Sequence, residues 1–103
     1  MAEALARLWI KFLPEIDRRL IAIESAVLAL NAGALSNELQ DEAHQAAHKL
    51  AGTLGTFGLH RGTELARNAE NVLEGDGLSP GTSSASDLIL WTHELRSLID
   101  NRR

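Results

Sequence analysis

Apolar residues along the chain return at intervals of three and four, the repeat of a helix face, and nowhere alternate over a length useful for a strand. Leu13, Ile16, Leu20, Ile23, Val27 and Leu30 form one such stripe and predict a helix from Pro14 to about Asn31. Upstream, AEALARLWIKF at residues 2 to 12 predicts a short separate helix, because Pro14 ends one helix and suits the first turn of the next. Asn31-Ala32-Gly33 supplies a stop, since both Asn and Gly tolerate the left-handed conformation after a last turn. A third helix is capped by Ser36 or Asn37, carries Glu38, Asp41 and Glu42 near its positive end, and runs to about Phe57. Beyond Gly58, Leu59, Leu65, Ala66, Ala69, Val72 and Leu73 mark a fourth helix, and Leu88, Trp91, Leu95 and Leu98 mark a last one from about Ser86 to Arg102. The intervening EGDGLSPGTSSAS, residues 74 to 86, reads as a mobile connection and not a domain boundary, because too little chain follows it to fold alone. The expected fold is all-α: an antiparallel four-helix bundle in one domain over residues 1–103, with an additional short N-terminal helix packed across it.

Composition supports that picture. Hydrophobic residues are 45% of the chain and aromatics 4%, so the core is aliphatic and favours helices. The absence of Cys removes disulfides, thiolate catalysis and Cys-ligated zinc, and suits a reducing cytoplasm. Apolar runs such as AVLAL fall far short of the roughly 20 residues that span a bilayer, and no charged-then-apolar leader opens the sequence. A soluble, cytoplasmic protein is expected. The net charge of −4 argues against nucleic acid as a partner, and Arg102 with Arg103 is read as a solvated helix end.

The third helix holds the candidate chemistry. Residues 44 to 58, HQAAHKLAGTLGTFG, place Gly52, Gly55 and Gly58 in a helical pattern, where each interior glycine costs about 1 kcal/mol against alanine. Unrolled at about 100° per residue with His48 at zero, Leu39, Ala43, Ala46, Leu50, Thr53, Leu54 and Phe57 fall on the core side. Asp41, His44, Gln45, Ala51, Gly52 and Gly55 fall within about 60° of His48. The glycines therefore leave the imidazole on flat, open ground where another protein's backbone can approach. Geometry admits two readings, a solvated surface histidine and an accessible nucleophile of the kind neutral imidazole provides.

AHKLAGTLGTFG resembles the signature of histidine-containing phosphotransfer (HPt) domains: a histidine, an apolar residue two positions on, glycine at the fourth, and a glycine-rich continuation. Here these are His48, Leu50, Gly52 and Gly55, with Phe57 and Gly58 closing the motif, and the likeness extends to the preceding amphipathic helix and to the downstream LARNAENVLE. The resemblance implies a carrier, not an enzyme. It takes a phosphoryl group from a receiver-domain aspartate or a histidine kinase onto the ring nitrogen distal to the backbone, then passes it to a receiver aspartate. No cofactor of its own is implied; the sequence has no GxxxxGK[ST] phosphate loop, and magnesium would belong to the partner. Such a domain is expected as a monomer or as part of a longer multidomain chain. The supporting residues would be His44, Gln45, Lys49, Gly52 and Gly55. The family often carries a lysine three positions after the histidine; this sequence has Ala51, and Lys49 lies about 100° round the helix.

Two other readings stand beside it. HQAAH, residues 44 to 48, is also similar to a degenerate HExxH zinc motif, but Gln45 replaces the general base and a third ligand would have to come from His60 or His93. A helical interaction module without chemistry would use Trp9 and Trp91 as anchors, although in so aromatic-poor a chain both suit a core or half-buried role. Ile21 and Leu28 are read either as packing beneath the N-terminal helix or as docking ground. His60 and His93 belong to no constellation, and Glu15, Asp17, Arg18, Arg19 and Glu24 form a solvated charged face.

Overall fold

The computed structural model describes residues 2–76 and 78–102, without the side chain of Ala2; Gly77 of the long connection and the terminal Arg103 lie outside them. Four helices follow in order: α1 (Ala2–Asn31), α2 (Asn37–Thr56), α3 (His60–Glu74) and α4 (Ser83–Arg102). α1 packs on α2 and α4, and α3 packs on α2 and α4, giving a four-helix bundle with each helix between two neighbours.

The expected separate N-terminal helix is not there. Residues 2–12 and the Pro14 segment form one helix of 30 residues, with Pro14 inside it. Proline removes one backbone bond at a cost of about 3 kcal/mol. Pro14 is exposed, and so is Ile10, whose carbonyl loses its donor. Across the proline the apolar stripe is unbroken: Trp9 is buried with its ring edge-to-face on Phe57 at 5.3 Å, and Ile16 is fully buried. Burying such a side chain contributes on the order of 3 kcal/mol, enough to offset the missing bond.

The other boundaries follow local chemistry. Ser36 caps α2, its hydroxyl accepting from the Leu39 amide at 3.1 Å. At the far end Gly58 adopts φ 72°, and the Gly58 and Leu59 amides donate to the carbonyls of Gly55 and Leu54 in a Schellman turn that reverses the chain into α3. α4 begins three residues earlier than the apolar pattern suggests, because Thr82 caps it by accepting from the Ala85 amide. The Gln40 side chain on α2 donates to the Leu73 and Gly75 carbonyls, fastening the end of α3 to the start of α2. The core is aliphatic, with Leu20, Ile23, Leu50, Leu54, Leu65, Leu88, Leu95 and Ile99 fully enclosed. Trp9 is buried and Trp91 half-buried, while Leu39, Thr53, Val72 and Leu98 sit at the core's edges. Between α1 and α4, Arg96 pairs with Glu24 at 2.7 Å and Asp17 at 3.0 Å. The hydrogen bond to Glu24, foremost, raises its guanidinium pKa further above the ordinary value.

Candidate functional site

His48 stands on the outer face of α2, its side chain 72% exposed. Leu50, Leu54 and Phe57 of the same helix are buried on the opposite side, so the helical period that builds the core also turns the imidazole outward. The ring is not free to spin. Its Nδ1–H donates to Oε2 of Glu70 on α3 at 2.7 Å, and the Glu70 side chain is only 20% exposed. A carboxylate accepts and does not donate, so it fixes the proton of the neutral ring on Nδ1 and leaves the lone pair on Nε2, the nitrogen distal to the backbone.

Glu70 was not among the expected site residues, although a signal for it exists. The α2–α3 turn, residues 57–59, ends on Leu59, which is eleven residues from His48 and eleven from Glu70. In an antiparallel hairpin of helices, equal counts from the turn mark facing levels.

The expected supporting residues are distributed unevenly. Gly52 is exposed, and a Cβ added there would meet nothing within 4 Å. A Cβ on Gly55, also exposed, would touch the Thr63 hydroxyl at 3.4 Å. Gln45 donates to Asp41 one turn earlier at 3.0 Å. The Lys49 side chain is exposed and makes no ion pair among the described residues; its carbonyl accepts from Thr53 Oγ1, which in turn accepts from Arg19. His44 is half-buried, with Nε2 enclosed and lacking a hydrogen-bond partner. Ala51, assigned to the open face with His48, is instead 3% exposed. It lies toward α3, and Thr63 Oγ1 donates to its carbonyl at 3.2 Å.

The remaining histidines do not join the site. His60 opens α3 at the far end of the turn, and His93 lines a groove between α1 and α4. Both are exposed, and among the described residues no group of three or more His, Cys, Asp and Glu is placed to hold a metal. Leu28 lines the same α1–α4 groove as His93, and Ile21 is exposed; neither packs beneath a separate N-terminal helix.

A four-helix bundle that presents an exposed imidazole, held at one nitrogen by a carboxylate from the next helix, defines a helical domain with an oriented surface histidine. A family model for the Hpt domain matches residues 7–103, and the chain belongs to that family. Membership supports a histidine phosphotransfer role in two-component signalling; members act as phosphotransfer carriers, working with receiver domains and kinases in phosphorelays. No curated protein and no solved structure matches the chain. No helix among the described residues is long and apolar enough to cross a membrane.

Proposed function

We propose that His48 is the phosphorylated residue, taking its phosphoryl group from a receiver aspartyl phosphate or a histidine kinase and passing it to a receiver aspartate. The observation that carries the reading is the Nδ1–Glu70 hydrogen bond, which leaves Nε2 of an exposed ring as the nucleophile. In the forward step the Nε2 lone pair attacks phosphorus, the N–P bond forms, and the P–O bond breaks with its electron pair going to the aspartate carboxylate. The phosphorylated ring keeps its Nδ1 proton and is formally cationic, and Glu70 offsets that charge. Transfer onward is the same exchange in reverse, toward another aspartate.

Gly52 and Gly55 keep the approach to the ring low. Beyond them, Leu8 and Phe12 of α1 line a shallow hollow with Arg19, Thr53, Thr56 and Phe57, apolar ground on which a docked receiver can rest. Incubation with phosphorylated receiver domains should produce an acid-labile, alkali-stable phosphohistidine. His48→Gln should abolish it while lowering stability by no more than about 1 kcal/mol, the worth of the screened bond to Glu70. Labelling that survives the substitution refutes the assignment, and a large drop in melting temperature would make the histidine structural.

A further inference from the structure

The fold closes the position at which the resembling family often carries a lysine. Ala51 is buried against α3, and the Thr63 hydroxyl sits on its carbonyl. Another cation stands at the same level on the facing helix. The touching pair His48 and Glu70 sets the register of the antiparallel helices, and in it Arg67, three residues before Glu70, is level with Ala51, three residues after His48. On α3, Arg67 is one turn before Glu70 and about 60° round from it, on the side away from the buried Ala69 and Leu73.

Arg67 is exposed and available. It lies three residues from Glu64 and three from Glu70, the spacing of a helical ion pair. Yet Glu64 is held by Arg61 at 2.8 Å and Glu70 by His48 at 2.7 Å, and Arg67 makes no ion pair among the described residues.

We propose that Arg67 binds the oxygens of the phosphoryl group carried on His48, supplying from α3 the cation that α2 lacks at Ala51. This rests on the reading of His48 as the carrier. A guanidinium presents paired N–H donors that match phosphoryl oxygens, and its charge is permanent. The two α3 residues then divide the work: Glu70 faces the cationic ring, and Arg67 faces the phosphoryl anion. Lys49 lies on the other flank of His48, toward α1, where Arg19 reaches Thr53.

The test needs no partner protein. Phosphoramidate can label the intact chain directly: Nε2 forms the N–P bond as ammonia leaves. The phosphorus-31 resonance of the product follows the second ionisation of the phosphoryl group, and a neighbouring cation favours the dianion. The charged and titrating groups around it are His44 and Lys49 on α2, Glu70 and Arg67 on α3, and Arg19 on α1. Single substitutions compared with the parent isolate one of them at a time.

Arg67→Gln should raise the ionisation midpoint by about 0.5 to 1 pH unit, a three- to tenfold gain in proton affinity. Arg67→Lys should recover part of the shift, and all variants should melt alike. A midpoint unmoved by Arg67→Gln overturns the proposal, as does a shift produced by Lys49→Gln alone. The exposed His60 and His93 can also take label, so the His48 resonance is the one that His48→Gln removes; a phosphorus-31 spectrum unchanged by His48→Gln overturns the carrier reading itself, which keeps the two failures apart.

Discussion

Replacing Glu70 with alanine tests the core of the mechanism. The substitution removes the acceptor 2.7 Å from His48 Nδ1 and leaves the ring free to carry its proton on either nitrogen. A hydrogen bond to a charged group is worth about 1.5 to 3 kcal/mol. With the His48 side chain 72% exposed, solvent screening reduces this to about 1 kcal/mol. That energy corresponds to about a fivefold bias toward the Nδ1–H tautomer, the form with its lone pair on Nε2. Glu70→Ala should therefore slow phosphoryl uptake by about two- to fivefold, the lower figure if the freed ring divides evenly between its tautomers, with a loss of stability of at most about 1 kcal/mol. It should also shift the balance away from phosphohistidine, because the cationic ring loses more than the neutral one. Glu70→Gln should be intermediate, since its amide oxygen still accepts but carries no charge. Rapid-quench transfer from a phosphorylated receiver gives the rate, and nitrogen-15 spectra of the imidazole give the tautomer. A Glu70→Ala protein that transfers at the parental rate and remains predominantly Nδ1–H would refute the reasoning.

The glycines separate fold from function. Gly52→Ala adds a methyl group to open space in mid-helix and should raise stability by up to about 1 kcal/mol, read as a higher melting temperature. Gly52→Gln should slow transfer from a receiver by blocking its approach, and unimpaired transfer would remove that role. Gly62→Ala should be less stable than Gly52→Ala by about 1 kcal/mol or more, because its Cβ would lie 2.9 Å from Leu54 Cδ1 in the fully buried core and overpacking there opposes the same helix gain, with the difference read by denaturant unfolding. Ala51→Lys, which the family resemblance alone would make a gain, should instead lower the melting temperature, since its stem begins at a 3%-exposed site against α3.

The helices were legible in the sequence because their apolar repeats and caps agree. Ser36, Gly33 and Gly58 mark boundaries by chemistry that is local to each residue, and the structure uses all three. Pro14 misleads for the complementary reason. A local rule places a break there, while the contact of Trp9 with Phe57, separated by most of two helices, keeps α1 continuous. No window around the proline contains Phe57.

The same division between local and distant information runs through the site. Unrolling one helix correctly turns His48 outward, because its own core stripe defines the opposite side. It misplaces Ala51, because a single helix has no representation of the neighbour that covers its flank. Glu70 and Arg67 belong to that neighbour, and only the register set at the Gly58–Leu59 turn brings them level with His48 and Ala51. The three glycines at 52, 58 and 62 likewise answer to three different demands: open ground beside the imidazole, a left-handed turn, and the close approach of α3 to Leu54. A motif that looks like one glycine-rich continuation therefore joins two requirements. Gly58 sets the register that delivers Glu70 to the ring, and Gly52 adds no side chain to the open face that His48 shares, so one short stretch serves both the turn that positions the imidazole and the surface that leaves it exposed.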